Sequence, residues 1–394
     1  MDTRFDVAVI GGGPAGCSTA LALTRLGYRC LVVEKSDYSN VRVGETFPAA
    51  IRRLLVDLGV WERFIASGHA PAHAIHSIWG DRQTQKNDAI FDPYGPGWHV
   101  DRVHFDRMLA TAAENARVQV LRTARVDSFA VMSDGSWRLE IKCSKLPFVA
   151  RAEFLVDASG RRCVVARPLG ARRVALDRLI GLVAFFRPYA QETLIPQAML
   201  VESVQDGWWY SAPLPDRRIV VAYMTDADLL QKSDGPLLIR FAALLSAAAQ
   251  TATRLQSYTL DSEPTVSAAN SSRLDRMWGD NWVAVGDAAM TVDPLSSQGV
   301  YKAMKSGLLA ARAIARFSSG DPTALSDHAS DLSSEFDGYL PQLQYHYSLE
   351  QRWATRNFWR RRHFASVNST PIYGKAWATL LPPSPVLQGK HQST

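Results

Sequence analysis

The chain opens on a mostly apolar run, Phe5-Asp6-Val7-Ala8-Val9-Ile10, stopped at once by glycines. A short run of this kind predicts a buried strand. Gly11-Gly12-Gly13-Pro14-Ala15-Gly16 follows. The Ala/Leu-rich stretch from Cys17 to Leu26 then predicts a helix, with Gly27 as its C-cap. Arg29-Cys30-Leu31-Val32-Val33-Glu34 predicts a second strand, which completes a βαβ unit within the first 34 residues. An amphipathic helix is predicted over 49–64, irregular chain or short strands over 78–100, and another helix over 105–113. Alternating patches between 118 and 157 predict strands, with Ser133-Asp134-Gly135 as a turn.

From about 178 to 270 strand patterns dominate, at 180–186, 199–204, 208–211 and 218–224. One helical stretch, 237–249, interrupts them. Trp282-Val283-Ala284-Val285 predicts a return to the first layer, followed by Gly286-Asp287-Ala288-Ala289 and a helix over 299–316. The tail over 324–364 is mostly helical and rich in aromatics and arginine. The last twelve residues read as loose, and no internal repeat appears.

Composition changes this picture little. Apolar residues at 47% and charged residues at 21% exclude a disordered chain. The charge is +6, from 44 basic and 38 acidic residues, which calls for no nucleic-acid partner. Cys17, Cys30, Cys143 and Cys163 form neither a CxxC pair nor a metal-ligand cluster, so no metal and a reducing compartment are expected. The N-terminus lacks a signal-peptide pattern and no run of 18 apolar residues occurs. A cytoplasmic protein without membrane insertion is expected.

The chemistry concentrates in the glycines. Gly11-x-Gly13-x-x-Gly16 has a strand before it and a helix after it. The first glycine permits the turn, the second admits a pyrophosphate, and the third allows close helix packing. Glu34, 18 residues past Gly16, can accept from an adenosine ribose hydroxyl. This fingerprint alone leaves FAD and NAD open.

Asp157-Ala158-Ser159-Gly160 and Gly286-Asp287-Ala288-Ala289 resemble the second and third FAD motifs of flavoprotein monooxygenases. The run from Gly286 through Asp293-Pro294-Leu295-x-Ser297-x-Gly299, with Val43-Gly44-Glu45-Thr46-x-Pro48, resembles the tryptophan-halogenase-like branch. Glu350-x-Arg352-Trp353 and Phe358-Trp359-Arg360-Arg361-Arg362 are similar too. The resemblance implies an α/β fold: a Rossmann-like FAD-binding domain over 1–177 and 273–320, with an inserted antiparallel or mixed β-sheet substrate domain over 178–272. A helical C-terminal region, 321–394, closes it. The candidate cofactor-binding set is Gly11, Gly13, Pro14, Ala15, Gly16, Glu34, Lys35, Arg42, Arg102, Asp157, Gly160, Gly286, Asp287, Pro294, Ser297, Gln298 and Gly299. Backbone N–H groups near Pro294 and Gly299 would face developing negative charge on the flavin.

Two departures bear on the reaction. Halogenases of this branch carry Trp-x-Trp-x-Ile-Pro; here Trp208-Trp209-Tyr210-Ser211-Ala212-Pro213 puts Tyr210 at the second Trp and Ala212 at the Ile. They also use a lysine near residue 71 and an acidic residue that falls at Ser296; the stretch 68–79 holds no lysine. That favours oxygen transfer from a flavin C4a-hydroperoxide to an electron-rich ring.

The candidate catalytic set is Glu45, His73, His76 and Pro294; His69 belongs to the same histidine cluster. Structural roles for these groups remain open. The branch includes enzymes that hydroxylate a protein-borne tryptophan during tryptophylquinone maturation, so a peptide or protein substrate is expected. Residues 345–363 would border its docking surface or pack on the FAD domain. The alternatives are a small-molecule aromatic hydroxylase, a tryptophan or indole halogenase, an isoprenoid-reductase-like flavoenzyme, and a non-enzymatic flavin scaffold. Molecular oxygen is the expected co-substrate. NADH, NADPH or externally reduced flavin from a flavin reductase is the expected reductant, and no second nucleotide fingerprint is present.

Overall fold

The computed structural model describes residues 3–81, 83–88, 94–144, 146–230 and 235–363. The loose end expected after residue 382 lies outside these residues. The architecture is α/β, built from several sheets with helices closing the C-terminal side.

The first sheet is centred on parallel strands Thr3–Ile10 and Phe148–Asp157. Cys30–Val33 and Gln119–Leu121 extend it on one side and Trp282–Ala284 on the other, all parallel. Ile10, Asp157 and Ala284 share one register row, so three strands end together. In a parallel sheet this C-terminal edge is where ligands bind. Helix Pro14–Arg25 packs against helix Gly299–Ser318 over the sheet, closely enough that a Cβ on Gly307 would strike the Ala15 carbonyl.

The second sheet runs in the order Tyr258–Leu260, Leu179–Pro188, Ile219–Asp226, Gly207–Pro213, Ala198–Val204, Ala74–Ile78, Gln85–Asp88. It is mixed, because Ala198–Val204 and Ala74–Ile78 pair in parallel. Its last two strands come from chain ahead of residue 178. Every position of Ile219–Asp226 is buried, which explains its unbroken apolar pattern. One face carries Trp208 and Met199 towards the C-terminal helices. The other carries Trp209 and Tyr223 towards Phe241 of helix Leu237–Ser246. A third, small sheet joins Thr46–Phe47, Gly97–His99 and Ala70–Ala72.

One helix predicted as single is divided, and the mostly helical tail resolves into two helices. The stretch 49–64 forms Ile51–Asp57 and Trp61–Ala66, because Gly59 at φ +59° takes a left-handed turn between them. The tail forms Ala324–Ser348 and Asn357–His363. Phe358, Trp359 and Tyr347 from the tail are buried against the second sheet. Among the described residues no helix is long and apolar enough to cross a membrane.

The last helix is fastened by charge. Arg361 and Arg362 both reach the buried Asp226 carboxylate, at 2.7 and 2.8 Å. Arg362 also covers the Phe358 ring at 3.7 Å. Removing one partner of a buried pair leaves the other charge poorly compensated. Arg362→Ala is therefore expected to cost about 3 kcal/mol, read as a lower urea midpoint; an unchanged midpoint would show that the helix is held by its aromatics alone.

Candidate active site

The glycine turn is shaped by lack of room. Gly11 sits at φ +111°, and a Cβ there would fall on the Ala158 carbonyl oxygen at the end of the neighbouring strand. Gly286, at φ +57°, would place its Cβ 2.7 Å from that of Ala15. Helix Pro14–Arg25 starts at this junction, with Gly13 as N-cap and no side chain capping it. Its first N–H groups are thus available to an anion. The Arg42 guanidinium stands 3.7 Å from where a Gly13 Cβ would be. Open donors, a nearby cation and no side chain in the way fit a pyrophosphate.

Glu34 is buried and holds this turn together. Its Oε2 accepts from Gly12 N–H at 2.7 Å, and its Oε1 accepts from Ser36 and Arg42. Burial raises its pKa, but the Ser36 hydroxyl and the Gly12 and Ser36 N–H groups outweigh that and lower it. The carboxylate is charged, with a lone pair on Oε2 left for a ribose hydroxyl. Lys35 beside it is exposed.

Asp157 corrects the sequence expectation. It is fully buried, and its oxygens accept from the Ser159 N–H and hydroxyl and from the N–H groups of Val165 and Ala166. It shapes the Asp157–Gly160 turn and has little left to offer a cofactor. Gly160, at φ +70°, carries that turn onward.

Asp287 is different. Its side chain is 49% exposed, 4.0 Å from Arg161 Nε. Desolvation nonetheless pushes its pKa up, against the fields of Arg161, Arg173 and Arg102. The face around Asp287, open at its side chain and bordered by Gly299 of the next helix, is the candidate cleft. Segment 293–299 leads into that helix beside it. Asp293 accepts from Leu295 N–H, the turn Pro294–Ser296 follows, and Ser297 at φ +49° leads through Gln298 into helix Gly299–Ser318, which has no side-chain cap. Asp293 is itself held by Tyr347, whose hydroxyl donates to Oδ2 at 2.8 Å, and by Tyr339, whose hydroxyl accepts from its N–H.

Glu45 is buried next to the cleft, and burial pushes its carboxyl up to about 7. Its Oε2 accepts from Gly44 N–H, while Oε1 has no partner among the described residues. Arg102 is buried too, committed to Asp106 and to the Val43 carbonyl. Burial opposes its charge, but Asp106, Glu45 and Asp287 together keep its pKa raised. Arg102 thus spends three of its five N–H donors on Asp106 and Val43 and adds its field to the cleft.

Beside Glu45 runs a chain the sequence did not reveal. The Tyr210 hydroxyl and Thr46 Oγ1 are 2.8 Å apart, and Thr46 Oγ1 lies 3.2 Å from His99 Nδ1. The expected histidines are elsewhere. His73 is exposed, and His76 lies half-buried on strand Ala74–Ile78, paired with Lys86. His69 is buried against Phe64, with burial pushing its pKa down to about 4. The histidine joined to the Glu45 region is His99. Its partner Thr46 is 53 residues away in the chain, and no local pattern announces such a pair. Among the described residues no three His, Cys, Asp or Glu side chains converge as a metal site requires.

The family described as FAD binding domain matches residues 4–330. This chain belongs to that FAD-binding family. It is a halogenase-like flavoenzyme of the oxidoreductase/monooxygenase type. A Marinomonas mediterranea protein described as a FAD-dependent oxidoreductase, LodB, is 31% identical over 371 residues, covering 92% of this chain and 98% of its own. The myxobacterial chondrochloren halogenase CndH superposes with a TM-score of 0.84 at 25% identity, over 91% of this chain and 86% of its own. The peptidyl tryptophan dihydroxylase QhpG gives 0.74 at 26% identity, over 91% and 79%.

Glu45 gives a pH prediction for the cofactor-free protein. Its pKa rises from 4.5 unfolded to about 7 folded. Between those values the folded protein keeps a proton that the unfolded chain has released, so this group's contribution falls as pH rises. Glu45→Gln should gain on the wild type by up to about 3 kcal/mol as pH climbs through that window, followed by urea unfolding at several pH values. A gap that stays constant with pH would refute the burial of an ionisable group at this position.

Proposed function

We propose that this flavoenzyme is a monooxygenase that hydroxylates an aromatic ring, a tryptophan side chain carried in a peptide or protein precursor during quinone-cofactor biogenesis. The observation that carries the reading is the set of groups beside the cofactor cleft. They are Glu45, Thr46, Tyr210 and His99, and neither they nor the stretch 68–79 includes a lysine to hold a hypohalous oxidant. QhpG, named as a peptidyl tryptophan dihydroxylase, supports the substrate class. The near end-to-end match with LodB supports oxidoreductase chemistry on a chain of this size.

FAD, once reduced and exposed to dioxygen, supplies the oxygen-transfer chemistry. Reduction comes from NADH, NADPH or a partner flavin reductase. The protein's own residues do the placing. The Gly11–Gly16 turn and the first N–H groups of helix Pro14–Arg25 hold the pyrophosphate, Glu34 takes the ribose, and Asp287 with segment 293–299 borders the remainder of the cofactor. Glu45, uncharged below about pH 7, can donate a proton where a carboxylate could not. Leu295 and Trp208 belong to one buried apolar cluster, with Tyr210 packed against it. That wall limits water at the reacting ring.

The close superposition on CndH favours a second reading, halogenation of an aromatic. Product mass separates the two. Supplied with reduced flavin, dioxygen and bromide, the protein should add oxygen to tryptophan in a precursor polypeptide and leave free tryptophan unchanged. Brominated product would establish the halogenase reading; turnover of free tryptophan alone would remove the polypeptide from the account.

A further inference from the structure

Asp293 is gripped twice by one helix. Tyr339 and Tyr347 lie about two turns apart on Ala324–Ser348, which puts both side chains on one face. The Tyr339 hydroxyl accepts from the Asp293 N–H at 2.7 Å, and the Tyr347 hydroxyl donates to Asp293 Oδ2 at 2.8 Å. The other carboxylate oxygen, Oδ1, accepts from Leu295 N–H at 2.9 Å. Asp293 and both tyrosines are buried. A third partner fixes the direction of the Tyr347 bond. The indole Nε1–H of Trp208 can only donate, and it meets the Tyr347 oxygen at 3.0 Å. The phenol's own proton is therefore left for Asp293. Trp208 from the second sheet, Tyr347 from the C-terminal helices and Asp293 from the segment after Asp287 thus form one hydrogen-bonded line.

What the grip holds is a strained turn. Ser297 has φ +49°, a left-handed conformation that disfavours a residue with a side chain. Such a conformation persists only where its surroundings over-determine it, and it collects at sites that must meet a ligand in one arrangement. Ser297 stands between the turn Pro294–Ser296 and Gln298, which opens helix Gly299–Ser318. Asp293 is the head of this segment, and Ser296 Oγ also donates back to its carbonyl at 2.8 Å. The first N–H groups of the helix have no side-chain cap and favour negative charge nearby.

Resting on the reading that segment 293–299 borders the bound FAD, we propose that Tyr347 is a positioning residue for the flavin: it takes the Trp208 N–H, gives its own proton to Asp293, and so sets the Ser297 turn against the cofactor. Trp208 is the tryptophan retained in a stretch where Tyr210 and Ala212 depart from the halogenase pattern. The line gives it a task that needs an indole N–H and not only a large ring. A turn held in place keeps the helix N–H groups close to the flavin, and they favour the reduced, more negative form over the oxidised one. Tyr347 and Trp208 therefore act on the reduction potential of the cofactor through Asp293, without touching the reacting atoms.

The potential of the bound FAD tests this without substrate or turnover. FAD-loaded protein is reduced in the presence of a reference dye, and both absorption spectra are followed. Tyr347→Phe removes the hydroxyl alone, because the ring stays packed by Trp79, Phe358 and Trp359. It should shift the equilibrium roughly tenfold towards oxidised flavin, a fall of about 30 mV. Trp208→Phe should lower the potential by less, since Tyr347 then keeps its bond to Asp293. Adding it to Tyr347→Phe should lower the potential no further. Trp359→Phe is the control for stability. It loses a bond to the Val204 carbonyl and has no link to Asp293, so it should lower the urea midpoint and leave the potential in place. An unmoved potential in Tyr347→Phe overturns the proposal, as does an equal fall in Trp359→Phe. Should Tyr347→Phe fail to fold around FAD, Trp208→Phe decides in the same way. Bromination in the product assay would sink the hydroxylase reading and leave these potentials as predicted, so the two failures are distinguishable.

Discussion

The structure depends on how closely three strand ends approach one another. Ile10, Asp157 and Ala284 finish in one row, and the turns leaving them have no space for side chains at Gly11 and Gly286. This constraint sets the start of helix Pro14–Arg25, and with it the row of unpaired N–H groups for a pyrophosphate. It fixes Glu34 against Gly12 and turns Asp157 inward to brace its own loop. It also sets Asp287 at the candidate cleft. The rest of the chain, including the second sheet and the C-terminal helices, supplies the walls of a site whose origin lies in those turns.

Burial governs the charge of several titratable side chains in the molecule. Glu45 and Asp293 are buried carboxyls that burial pushes up to about 7, while His69 and His99 are buried imidazoles pushed down to about 4. Burial disfavours the charged form in each case, so the imidazoles are neutral at pH 7 and the carboxyls keep their protons below it. Hydroxyls, neutral acids and neutral imidazoles suit hydrogen-bond steering of an uncharged aromatic. The permanent charge lies on the arginines around Asp287 and on Arg102. Arg102 stands between the two, within the field of both Glu45 and Asp287.

Much of this was legible from local pattern. The Gly11–Gly16 fingerprint, the 282–287 return and the strands between 179 and 226 are spelled out by runs and turns, because each depends on neighbours in sequence. Gly59 dividing one predicted helix into two is a local signal too, overlooked because the apolar spacing continues across it. What stayed hidden depends on distant pairing. Ala74–Ile78 joins the second sheet only through Ala198–Val204. Asp157 looked like a cofactor ligand because sequence shows a carboxylate and not the N–H groups of Val165 and Ala166 that fill it. Tyr210 read as a departure from a motif, with Thr46 and His99 beside it only in the fold.

The central claim is that the oxidant here hands oxygen to the ring itself. Isotopically heavy dioxygen in a single turnover on a tryptophan-bearing precursor, with bromide present, tests it most directly. The account predicts heavy oxygen on the tryptophan ring. Light oxygen drawn from water, or bromine in its place, would contradict it.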